Sequence, residues 1–180
     1  MTKFFHHKYR IESARLEGWD YSTPWWYYIT INIKDHVCRF GEVHNGKMIL
    51  NELGKIVEHE WMKTADIRKN VELDYYVIMP NHIHGIIILN ENNNCRDVAR
   101  NVSTIKNKFS EISPKSNSLS AIIRSFKSAV TKNAHKNGYV SFQWQSRFYD
   151  RIIRNANELF RIRKYIEQNP LKWEIEKKRN

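Results

Sequence analysis

The chain is predicted to be an α+β protein: a central, mostly antiparallel four-stranded sheet with helices packed on one face, and a small accessory hairpin. Three observations carry this expectation. Four runs, over 25–33, 71–79, 82–89 and 141–153, have strand length and are rich in β-branched and aromatic residues. Between and after them lie stretches with apolar residues at helical spacing. The resulting order is strand, hairpin, helix, strand, strand, helix, strand, helix, which suits helices layered on an antiparallel sheet rather than a run of βαβ units.

Residues 1–24 form an N-terminal arm, basic and aromatic, with little periodicity. Arg10, Arg15, Trp19 and Tyr21 either line a nucleic-acid surface by charge and stacking or pack over the sheet, and both readings stand. The run Trp25-Trp26-Tyr27-Tyr28-Ile29-Thr30-Ile31-Asn32-Ile33 is the first strand. Asn45-Gly46 lies between Gly41-Glu42-Val43-His44 and Lys47-Met48-Ile49-Leu50 and is a hairpin signal, because both residues tolerate positive φ. Asn51 is placed to cap a helix over 51–64, with Leu53, Ile56, Val57, Glu60 and Trp61 on one stripe. The second and third strands, 71–79 and 82–89, are apolar on both alternating faces, as central strands are.

Residues 90–117 form a long polar connection with one short helix expected near 102–109; loops of this length are functional or disordered. A helix over 119–135 follows, with Ile122, Ile123, Phe126 and Val130 apolar and Arg124, Lys127 and Lys132 basic. Its basic side is either a solvated face or a phosphate-contacting one. Asn155 with Glu158 resembles a capping box at the start of a last helix, which Pro170 is expected to end near residue 168.

One domain spanning 1–180 is expected, since 180 residues suffice for a real core. The formal net charge is +11 and the pI about 9.7, which favours a polyanionic partner such as nucleic acid. No apolar run reaches the length of a membrane span, and no apolar core of secretory length follows the first residues. A cytoplasmic, nucleoid-associated protein with no membrane role is therefore expected. Cys38 and Cys95 are far apart and suggest neither zinc nor a disulfide framework.

The chemistry centres on Met79-Pro80-Asn81-His82-Ile83-His84-Gly85. His82 and His84 are two apart at a strand start, so both imidazoles share a face. They are either a pair of packed histidines or half of a metal site able to polarise a phosphate oxygen. On the last helix Tyr165 lies at the border of the stripe formed by Leu159, Ile162 and Ile166, and Asn169 is four residues further on. If that face meets the histidines, two imidazoles, an amide and a phenol converge, a set suited to nucleophilic attack on a phosphodiester. A free phenol has a pKa near 10, so a neighbouring cation must assist it; Arg161 and Lys164 are candidates. The alternatives are a core-border tyrosine and a helix-terminal asparagine before proline.

The segments Tyr76-Val77-Ile78-Met79-Pro80-Asn81-His82-Ile83-His84-Gly85, Trp144-Gln145-Ser146-Arg147-Phe148-Tyr149-Asp150-Arg151-Ile152-Ile153-Arg154-Asn155 and Arg163-Lys164-Tyr165-Ile166-Glu167-Gln168-Asn169-Pro170 resemble the REP-associated tyrosine transposases of the insertion-sequence-200-like HUH single-strand DNA transposases. The resemblance runs from about Arg10 to Trp173. It implies a ferredoxin- or RRM-like HUH fold and a divalent metal, Mg²⁺ or Mn²⁺, held by His82 and His84 with Asn169 as third ligand. It implies Tyr165 as the nucleophile that takes a 5′ phosphate and leaves a 3′ hydroxyl. The implied substrate is single-stranded or hairpin DNA, and the implied state a monomer or a homodimer. Arg10, Arg15, Arg124, Lys127, Lys132, Arg147 and Arg154 are the candidate DNA contacts. A non-catalytic hairpin DNA- or RNA-binding module derived from a transposase, and a metallohydrolase with water as nucleophile, are the competing expectations.

Overall fold

A computed structural model describes residues 15–91, 115 and 117–179, with the backbone of two short paired strands, β1 (Phe4–Phe5) and β2 (Lys8–Tyr9). Arg10 and the helix expected near 102–109 lie outside the described residues. The chain continues as β3 (Trp26–Asn32), the hairpin β4 (Gly41–His44) and β5 (Lys47–Leu50), helix α1 (Glu52–Asp66), β6 (Val71–Ile78), β7 (His82–Leu89), helix α2 (Leu119–Lys136), β8 (Tyr149–Ile152) and helix α3 (Ala156–Arg179). The main sheet has the order β6-β7-β3-β8, and every neighbouring pair is antiparallel. The α+β fold expected from the sequence is the fold observed.

Alternation along β3 and β7 divides the molecule into two layers. Tyr27, Ile29 and Ile31 of β3 join Ile83 and Ile87 of β7 in a large core with Leu53, Val57 and Trp61 of α1 and Ile122, Ile123, Phe126 and Val130 of α2. The intervening residues turn the other way. Tyr28 and Ile86 meet Ile153 and Ile166, with Leu159 and Ile162 of α3 beside them. Gly85 belongs to the first layer: a Cβ there would lie 2.5 Å from Cζ2 of Trp61, so the indole packs directly on the strand backbone.

Local signals explain the element ends. Asn51 Oδ1 accepts from Gly54 N at 2.9 Å, capping α1, and Ser118 Oγ caps α2. Asn45 and Gly46 both have positive φ, 51° and 68°, as the two-residue hairpin turn requires. The β4–β5 turn docks on α3, with Gly46 N donating to Glu174 at 2.7 Å.

Four expectations are corrected. Helices cover both faces of the sheet, because the even-numbered positions of β3 and β7 are also partly apolar and need α3 to bury them. β6 is an edge strand rather than a central one. The strand expected over 141–153 is confined to Tyr149–Ile152, with one isolated bridge from Trp144 to Ile33. Phe142 and Trp144 are aromatic not because they line a strand but because they stack in a cluster with Phe40. Helix α3 runs through Pro170 to Arg179. An interior proline costs roughly 3 kcal/mol; here the turns beyond it are anchored by Leu171 against Gly46, by Glu174 on the hairpin and by Trp173 on the site.

Candidate functional site

The site lies on the α3 side of the sheet. β7 begins at His82 immediately after a tight turn in which Met79 N donates to His82 O at 2.8 Å. Period-two geometry then puts His82 and His84 on the face opposite Ile83 and Gly85. Their Nε2 atoms lie 3.0 Å apart. On the adjacent strand Thr30 pairs with His84, so Tyr28 and Thr30 share this face. Tyr28 Oη is 2.7 Å and Thr30 Oγ1 2.9 Å from His84 Nδ1. His82 Nδ1 is 2.6 Å from Asn81 Oδ1.

Helix α3 supplies the roof. The Tyr165 ring packs edge-on against the His84 ring, with centroids 5.3 Å apart, and against Tyr28 at 6.4 Å. Two turns later the Trp173 ring lies 5.9 Å from that of His82. Asn169 sits midway between these residues on the same helical face and is buried, 7% exposed. Because the helix continues past it, Asn169 is not a terminal capping residue. Tyr165 is 42% exposed, so its phenol can be reached from outside. A groove of about 740 Å³ opens beside Trp173, lined by Pro80, Glu174 and the β4–β5 hairpin.

Electrostatics keep the imidazoles neutral. Burial, aided by His36, lowers the pKa of His82 to about 4; burial, aided by His82, lowers that of His84 to about 3. Each therefore offers a nitrogen lone pair near neutral pH. Burial, with Tyr165 and Tyr149 close by, pushes the Tyr28 phenol up to about 12, so it remains a hydroxyl.

These groups fit a bound cation. Two ligand atoms about 2.1 Å from an octahedral ion and at right angles to one another are about 3 Å apart, the separation of the two Nε2 atoms, and each imidazole is held through its other nitrogen as metal-ligating histidines are. Among the described residues no group of three or more His, Cys, Asp or Glu converges. Asn169 is buried on the helical face that carries Tyr165 and Trp173, both of which pack on the imidazoles.

The candidate DNA contacts fare differently. Arg15 is tied to Asp150 at 3.4 Å and to Ser120 at 2.7 Å and lies over the rings of Tyr21 and Phe148, on the α1/α2 side of the sheet. Lys127 Nζ donates to the backbone carbonyls of Gln145 and Arg147. Arg124 and Lys132 are exposed on α2, also on the side away from the histidines, while Arg147 and Arg154 are exposed in the segments flanking β8. Arg161 bonds back to its own helix and Lys164 is exposed. Lys172 Nζ lies 5.9 Å from the centre of the Tyr165 ring, over its face.

Several residues of the site are given no role by the sequence reading: Tyr28, Thr30, Asn81, Trp173 and Lys172. The first two are marked by the alternation of β3, in which Tyr28, Thr30 and Asn32 interleave with apolar Ile29 and Ile31. Trp173 is eight residues beyond Tyr165, the same-face spacing that Pro170 obscured.

The architecture defines the chain as an α+β protein with one antiparallel sheet between two helical layers. It has the fold of a REP-associated tyrosine transposase solved bound to a REP hairpin, with a TM-score of 0.53, 21% identity, and coverage of 83% of this chain and 68% of that one. No family model matches the sequence. A Haemophilus influenzae protein described as uncharacterized is 35% identical over 173 residues, which span 94% of this chain and 91% of that protein. The chain belongs to one family with it.

Proposed function

We propose that the chain is a transposase-like enzyme that binds hairpin DNA, nicks single-stranded DNA and transfers the strand through a covalent 5′-phosphotyrosine on Tyr165. The observation that carries the proposal is the meeting of two elements far apart in sequence: the face of α3 bearing Tyr165, Asn169 and Trp173 lies directly over the neutral imidazole pair of β7. The solved fold relative bound to a REP hairpin and the charge of +11 support a DNA partner.

His82, His84 and Asn169 would hold a divalent cation, Mg²⁺ or Mn²⁺; when bound it supplies a positive charge that polarises a phosphate oxygen. Tyr165 acts as the nucleophile. Its oxygen bonds to phosphorus as the phenol proton departs, the bond from phosphorus to the 3′ oxygen breaks, and that oxygen leaves as a 3′ hydroxyl. The phosphotyrosine conserves the ester, so attack by another 3′ hydroxyl releases Tyr165 and rejoins the strand. Lys172 places a positive charge beside the phenol, and Tyr149, half-exposed and edge-on to Tyr28, offers a surface on which a base can stack.

The test is a denaturing gel of the protein with labelled single-stranded DNA containing a hairpin from repeats flanking its gene, with Mn²⁺ and with chelator. A labelled band at protein mass is expected only with metal, and Tyr165→Phe should lose it while binding DNA within a few-fold of the parent. An adduct that persists in Tyr165→Phe assigns the nucleophile elsewhere. Cleaved DNA without an adduct points to water as nucleophile, and binding without cleavage to a non-catalytic module. Binding should weaken steeply with salt, because phosphate contacts release counterions.

A further inference from the structure

We infer that the two imidazoles hold their protons by different devices: Asn81 locks His82 with its proton on Nδ1, whereas the hydroxyls of Tyr28 and Thr30 let His84 move its proton from Nε2 to Nδ1 when a cation binds. The inference rests on the reading of His82 and His84 as cation ligands and adds the residues that prepare them.

The orientation of the Asn81 amide is set from outside. Its Nδ2 donates to the His36 carbonyl at 2.9 Å, so its oxygen faces His82 Nδ1 at 2.6 Å. A carboxamide oxygen only accepts, so His82 carries its proton on Nδ1. The ring is neutral, and its Nε2 is therefore bare. That bare nitrogen lies 3.0 Å from His84 Nε2. Two bare nitrogens at that distance have no proton to share, so in the absence of a cation His84 carries its proton on Nε2 and donates it to His82.

His84 Nδ1 is then an acceptor, and both of its neighbours can donate: Tyr28 Oη at 2.7 Å and Thr30 Oγ1 at 2.9 Å. The reverse arrangement is equally satisfied. Were the imidazoles to hold a cation, His84 Nδ1–H would donate to Tyr28 Oη, and the Tyr28 hydroxyl would turn its own hydrogen to Thr30 Oγ1, 3.3 Å away. A hydroxyl both donates and accepts, whereas a carboxylate or a carbonyl in its place would serve one arrangement only. The proton count is unchanged, one per imidazole before and after, and the relocated proton passes through solvent. Each imidazole is thereby fully bonded with and without the ion, which removes the penalty of an unpaired nitrogen from either state.

Histidine tautomers are read directly by long-range ¹H–¹⁵N correlation on the histidine-labelled full chain, first with chelator and then with Zn²⁺ as a diamagnetic probe. With chelator, His82 should show a protonated Nδ1 and His84 a protonated Nε2; with Zn²⁺, both should show a protonated Nδ1. Asn81→Asp retains the acceptor and should keep the His82 tautomer, while Asn81→Leu should release His82 into a mixture. Combining Tyr28→Phe with Thr30→Val should lower Zn²⁺ affinity about 10- to 100-fold without changing His82. A proton on His82 Nε2 with chelator, or an Asn81→Leu spectrum identical to the parent, overturns the inference. If Zn²⁺ perturbs neither imidazole, the metal reading falls and takes the His84 exchange with it, while opposite tautomers under chelator still uphold the Asn81 lock.

Discussion

The two faces of the sheet are built from the same strands yet differ in kind. Toward α1 and α2 the strands present Ile29, Ile31, Ile83 and Ile87 to an apolar core around Trp61. Toward α3 they present Tyr28, Thr30, His82 and His84, each with a polar group that finds a partner on that face. One layer is bonded by shape and the other by directed contacts. Strand β7 shows that this needs no separate element: in His82-Ile83-His84-Gly85 alternate residues serve opposite tasks, and the layer with the larger apolar content carries the stability that lets the other be polar.

The largest test of this division is Trp61→Ala. It should destabilise the protein by about 3–5 kcal/mol, measured by urea unfolding; a loss under about 1 kcal/mol would mean that the first layer is not the main support. Gly85→Ala should cost about 1–3 kcal/mol by overpacking against the indole. Combining it with Trp61→Leu should recover part of that loss, and strictly additive effects would deny the contact. His82→Gln with His84→Gln breaks the bonds to Asn81, Tyr28 and Thr30 and should cost about 1–3 kcal/mol while abolishing metal-dependent cleavage; unchanged cleavage would remove these residues from the chemistry. Smallest of all, Arg124→Gln with Lys132→Gln should leave stability within about 0.5 kcal/mol. A loss of DNA affinity as large as that from Arg154→Gln would place the nucleic acid on both faces rather than on the α3 side.

How much of this was legible in the sequence follows from the range of the interactions involved. The pairing of His82 with His84 on one face, the Asn45-Gly46 turn and the Asn51 cap are local, set by residues within four positions of one another, and each was read correctly. Segment 141–148 was not, because Phe142 and Trp144 stack on Phe40, about a hundred residues away, and aromatic content there mimics a strand. Pro170 misled for a related reason: its local cost is real, but Trp173, Leu171 and Glu174 find partners on other elements. The basic residues show the same limit. Arg15 and Lys127 have the composition of phosphate ligands, and only the fold reveals that Asp150 and two backbone carbonyls already engage them. Convergence of Tyr165 with the histidines was legible only as a condition, that the two faces meet.

Helix α3 is held near both ends, by Glu158 against Arg151 and Arg154 N at its start and by Glu174 against Gly46 near its finish, with Tyr165 between the supports. A rod pinned twice keeps its midpoint in register with whatever lies beneath. Phenol, amide and both imidazoles are therefore brought together within a single chain. The kinetic corollary is a unimolecular activation: adduct formed per chain should stay constant on serial dilution at saturating DNA, rather than fall as it would for a centre shared between two chains.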